Sequence, residues 1–92
     1  MAEPFVMRVT EVFHVPGRGV IVVGTMRSGV AAVGDELEII APTGARRRTT
    51  LVGIDLIGRE PMDSAVASLV LRPLRPDQIQ PGYSVVTPGV AE

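Results

Sequence analysis

The 92-residue chain has no cysteine, tryptophan or lysine; its nine basic residues are all arginine, set against ten acidic residues and a single histidine for a net charge of −1. Without cysteine there is neither a disulfide framework nor a thiolate metal site. Without lysine, and without a Gly-x-x-x-x-Gly-Lys-Ser/Thr loop, the chain cannot build the phosphate cradle of a nucleotide hydrolase. One histidine, His14, excludes a multi-histidine metal centre. The only aromatics are Phe5, Phe13 and Tyr83, so few rings are available for base stacking. No apolar run approaches the roughly 18 residues of a membrane helix. The opening Met1-Ala2-Glu3-Pro4 lacks the basic-then-apolar pattern of a leader, so the expected location is the cytoplasm, with no membrane contact. A net charge near zero provides no global attraction to nucleic acid, and any such binding must come from a local patch.

What is present is a strand-and-turn sequence. Hydrophobic residues make up 46% of the chain and charged residues 21%, a balance that supports a folded core. Fifteen Val, six Ile and six Thr cluster in short runs punctuated by Gly, Pro and Asp. The runs predict strands over 5–15, 19–27, 35–41, 47–57, 65–72 and 83–87. Turn chemistry separates them at Pro16-Gly17-Arg18, Ser28-Gly29, Val33-Gly34, Pro42-Thr43-Gly44, Arg59-Glu60-Pro61 and Gln80-Pro81-Gly82. Leu37 and Ile39 alternate with Glu36 and Glu38, and Val52, Ile54 and Leu56 alternate with Gly53 and Asp55, which gives those strands one wet face. The expected core comprises Val22, Leu37, Ile39, Val52, Ile54, Leu69 and Leu71, together with Phe5 and Phe13. Residues 19–23 are apolar on both faces and suit a central or covered strand. Pro76 to Ile79 can form one short helical turn, but no stretch has a helical period. Six short strands without crossover helices predict one all-β domain over residues 1–92, a small closed antiparallel six-stranded β-barrel in which closure removes the sheet edges.

Several ordered pieces carry a resemblance. Val9-Thr10-Glu11-Val12-Phe13 is followed by Pro16-Gly17-Arg18-Gly19, by Val22-Val23-Gly24, by Arg27-Ser28-Gly29 and by Val33-Gly34-Asp35-Glu36-Leu37-Glu38-Ile39. Val52-Gly53-Ile54-Asp55 comes next, then Leu71-Arg72, Arg75-Pro76-Asp77-Gln78-Ile79-Gln80-Pro81-Gly82 and Ser84-Val85-Val86. From about Pro4 to Gly89 the chain resembles the second, β-barrel domain of elongation factor Tu and related translational GTPases. The resemblance implies a barrel whose rim helps to hold the aminoacylated 3′ end of transfer RNA. By position the implied rim residues are Glu11, Arg18 and Asp55, with Ile21 and Met26 as apolar neighbours of a terminal base. Thr10 stands where that family usually has a second acidic residue, Pro73 replaces a usual glycine, and the stretch from Asp63 to Ala67 is shorter than its counterpart.

The remaining chemistry is sparse. His14 sits at a strand end beside a turn. Ser28, Ser64, Ser68 and Ser84 lie outside any Gly-x-Ser-x-Gly elbow. Gly17-Arg18-Gly19 begins like a dinucleotide fingerprint, but Val22 fills the third glycine position and no helix follows. Glu36 and Glu38 point the same way on one strand, as a solvated outer face would. Arg46-Arg47-Arg48 is the densest basic run, and two readings stay open for it: a solvated strand edge, or a secondary set of phosphate contacts. The expectation is a non-catalytic binding module without cofactor or metal. Its partner is either an RNA end, from transfer RNA or ribosomal RNA, or a protein such as a separate GTPase subunit or a second copy.

Overall fold

The computed structural model describes residues 3–54 and 66–90, and its six strands close into one antiparallel barrel. They are β1 (Val6–Val15), β2 (Gly19–Ser28), β3 (Glu36–Ile40), β4 (Arg46–Ile54), β5 (Val66–Arg72) and β6 (Ser84–Val86). Around the barrel the order is β1-β2-β5-β4-β3-β6. A single 3₁₀ turn at Pro76–Gln78 is the only helical element among the described residues. The three-residue β6 pairs with β1 on one side and β3 on the other and so completes the closure. Closure leaves no open edge in the barrel as a whole. The part of the predicted fourth strand beyond Ile54, with Leu56, and the start of the predicted fifth lie outside the described residues.

Turn chemistry behaves as the sequence implies. Gly17 (φ 85°) and Gly19 (φ 107°) flank Arg18 in backbone conformations that other residues rarely adopt, which lets β1 reverse into β2 within three residues. At the start of β3 the Asp35 carboxylate accepts the Ala32 N–H at 2.9 Å, fixing the preceding turn. β2 is the central strand of the expectation: β1 and β5 flank it, and Val20, Ile21 and Val22 are all buried.

The inner face packs Phe5, Met7, Val9, Val20, Val22, Leu37, Ile39, Leu51, Leu69, Leu71, Ile79 and Val85 into one core. Cross-strand pairs build it directly: Val20 opposes Leu71, Val22 opposes Leu69, and Ile39 opposes Val85. Two β-bulges overturn parts of the expected pattern. The first lies in β1 between Val9 and Glu11. It inserts Thr10, whose hydroxyl donates to the Val23 carbonyl at 3.2 Å, and a one-residue insertion exchanges the two faces for everything that follows. Phe13 is therefore on the outside, 47% exposed, and not in the core with Phe5.

The second bulge lies in β4 between Leu51 and Gly53. Leu51, fully buried, opposes Leu71, and Val52 is the extra residue, 40% exposed. Ile54 regains register opposite Leu69 but only at the strand's end, where it is 46% exposed. The core positions of β4 are thus Thr49 and Leu51 in place of Val52 and Ile54. The buried Thr49 hydroxyl donates to the Pro73 carbonyl at 3.3 Å, which offsets its desolvation.

Candidate nucleic-acid interface

Strand direction collects arginines at one end of the barrel. The β1–β2 turn carries Arg18, the start of β4 carries Arg46 and Arg47, the end of β5 carries Arg72, and the following loop carries Arg75. Arg72 crosses to the turn and donates from Nη2 to the Arg18 carbonyl at 2.8 Å. Among the described residues, the opposite strand ends carry Glu3, Asp35 and Glu36 with Arg27. A chain of net charge −1 therefore has a basic pole, the local patch that nucleic-acid binding would need.

The rim residues suggested by the sequence are placed unequally. Glu11 and Ile21 share the outer face of the β1–β2 ladder: Glu11 opposes Val23, and Phe13 opposes Ile21. Ile21 and its other neighbour Val70 are buried on that face, so the exposed Phe13 ring stands beside an apolar floor. Arg18 crowns the same hairpin, and Glu11 lies four residues from the strand's end, about 13 Å along it. Met26 faces the other way and packs against the core cluster. Asp55 lies outside the described residues; β4, which precedes it, is separated from β1 by β2 and β5. Phe13 is the residue that sequence reasoning assigned elsewhere, because alternation counted from Phe5 without the bulge puts it indoors.

The basic run divides by face. Arg46 and Arg48 alternate outward with Glu36 and Glu38, and the four side chains form a ladder. Arg46 Nη1 lies 2.7 Å from Glu38 Oε1, and Arg48 reaches Glu36 at 3.1 Å and Glu38 at 3.5 Å. Arg46 also donates to the Val90 carbonyl at 2.9 Å, and the Gly89 N–H donates to Glu38 at 3.1 Å, so residues 89 and 90 are tied onto β3 and β4. The Gly89 N–H first, and the Arg46 guanidinium second, hold the Glu38 carboxyl below its ordinary value of 4.5. Glu36 and Glu38 are thus ion-pair partners and not a merely solvated pair. Before Thr50, β4 pairs with β3 alone, so the arginines do occupy a local edge.

Other candidates are structural. Ser28 donates to the Pro4 carbonyl at 3.0 Å, and His14 is exposed near the end of β1, opposite Val20. Ser64 lies outside the described residues. Among the described residues no three His, Cys, Asp or Glu side chains cluster as a metal site would require, and no helix is long and apolar enough to cross a membrane. No known family model matches the chain.

Proposed function

We propose that this chain is a non-catalytic binding module of the cytoplasm, related to the second domain of translational GTPases, that engages an RNA end on the outer face of its β1–β2 hairpin. The observation that carries this reading is the exposed Phe13, set beside Ile21 with the Glu11 carboxylate on the same face and Arg18 at the turn. An unstacked terminal base can lie on the ring, Glu11 can accept from ribose hydroxyls or an exocyclic amine, and the basic pole can meet the phosphates. The terminus of an aminoacylated transfer RNA and a ribosomal RNA segment are the partners that the resemblance suggests. The test is RNA affinity for wild type, Phe13→Ala and Arg18→Ala. Each substitution should weaken binding by about 1–3 kcal/mol with little change in thermal stability. Equal affinity for all three proteins would refute the assignment of this face.

A second reading has its own support. Phe13, Val52, Ile54 and Val66 are large apolar side chains that are each 40% or more exposed. Val52 and Ile54 at the end of β4 and Val66 at the start of β5 lie at one end of the barrel, away from Phe13, and exposed apolar side chains there suit protein docking, to a GTPase subunit or a second copy. RNA binding falls steeply with salt, whereas apolar association does not, so salt dependence separates the two.

A further inference from the structure

The barrel's mouth at its basic pole holds a cavity of about 320 Å³, lined by Ile39, Arg47, Arg75, Asp77, Gln78 and Tyr83 among others. Arg47 is the middle of the arginine run, and it behaves unlike its neighbours. It opposes Ile39 in the ladder and shares the core-facing side of β4 with Thr49 and Leu51, so it closes the column of inward residues at the open end. Arg46 and Arg48 are engaged with Glu36, Glu38 and Val90, but Arg47 makes no hydrogen bond or ion pair among the described residues. Arg75, on the same cavity, meets Asp77 through one 3.3 Å contact in which both side chains are 71% exposed. Water screens such a pair and leaves Arg75 easily recruited elsewhere. Tyr83 packs its ring against the core, and the fully inward Ile39 completes an apolar floor.

We propose that this mouth binds a phosphate monoester. Arg46, Arg47 and Arg75 all line this concave space; Arg46 is spent on Glu38 and Val90, and Asp77 is the one acidic lining residue among the described residues, so positive charge there is left uncompensated. Guanidinium forks match phosphate oxygens bidentately, and a pair of them suits a dianion better than the single charge of a diester. The volume lies at the lower bound of small-molecule sites, so the phosphate is carried on a body of mononucleotide size or at the end of a chain. Ile39 and the Tyr83 ring hold that body while Arg47 and Arg75 hold the phosphate. The site is separate from the outer face around Phe13 and stands or falls independently of it.

Calorimetry and amide NMR on the full chain, with adenosine 5′-monophosphate, adenosine and inorganic phosphate as probes, test the site. The nucleotide should bind at least tenfold more tightly than adenosine and more tightly than inorganic phosphate. Arg47→Ala and Arg75→Ala should each weaken nucleotide binding about tenfold, whereas Arg48→Ala and Arg27→Ala should not. Amide shifts should concentrate at residues 39–47 and 75–83. A 5′-phosphorylated oligoribonucleotide compared with its 5′-hydroxyl form identifies the carrier: a phosphate-dependent gain over the mononucleotide assigns an RNA end, and its absence assigns a free nucleotide. Failure of the nucleotide to bind at millimolar concentration, indifference to Arg47→Ala, or shifts confined to the β1–β2 face would each overturn the proposal. Unchanged thermal unfolding of the variants, whose substituted side chains are exposed, keeps a loss of binding from being mistaken for a loss of fold.

Discussion

Leu51 and Ile54 look interchangeable in the sequence, yet one is sealed in the core and the other is nearly half open. Truncating Leu51 to Ala removes transfer energy and leaves a cavity, and should cost about 2–5 kcal/mol in denaturant unfolding. Ile54→Ala should cost less than about 1 kcal/mol, because water already reaches that side chain. A larger loss at Ile54 than at Leu51 would mean that the β4 bulge is misplaced. Gly24 carries the matching constraint on β2. A Cβ there would lie 2.3 Å from the Arg8 carbonyl oxygen, a contact with backbone that no rotamer relieves. Gly24→Ala should therefore destabilise by about 1–3 kcal/mol or more, measured the same way. Gly24 opposes Val9, directly beside the bulge that Thr10 makes in the facing strand.

At the scale of the strand, composition and turn residues disclosed each element to within a residue or two wherever the chain is described, but the facing of side chains survived only up to the first bulge. β3 has none, and Leu37 and Ile39 are buried as alternation requires. β1 and β4 each contain one, which turns Phe13 and Val52 outward, whereas Ile54 is back in register opposite Leu69 and is open because the strand ends there. A bulge costs one residue and has no composition of its own, and Thr10 and Val52 are both ordinary strand formers. The candidate site divides the same way: Glu11 and Arg18 come from the family resemblance, whereas the exposure of Phe13 and the inward facing of Arg47 depend on register. The β3–β4 ladder offers a pH test of that register. Glu38 has a folded value below its ordinary 4.5, so its pairing adds stability above about pH 4.5 and loses it as pH falls through the lowered value. Glu38→Gln should melt below wild type at pH 7, and the gap should narrow by pH 3. A gap of constant size would show that the carboxylate charge contributes nothing to folding.

For the molecule as a whole, the decisive property is where charge sits, since its sum is nearly zero. Antiparallel closure sends the starts and ends of alternate strands to common poles, so arginines distant in sequence, Arg18, Arg46, Arg47, Arg72 and Arg75, assemble at one pole while Glu3, Asp35 and Glu36 lie at the other. If RNA meets the basic pole, position and not net charge must govern affinity. Arg75→Glu and Arg27→Glu make the same change in total charge, but Arg75 lies at the basic pole and Arg27 near the far end of β2. Both side chains are exposed, so neither substitution should disturb the core. Transfer RNA binding measured across a salt series should weaken by about tenfold or more for Arg75→Glu, with the slope of log affinity against log salt reduced by about 1, as expected for one lost phosphate contact. Arg27→Glu should leave both quantities within experimental scatter of wild type. Equal losses for the two variants would mean that the barrel attracts RNA only through its net charge, and a loss confined to Arg27→Glu would move the interface to the opposite pole.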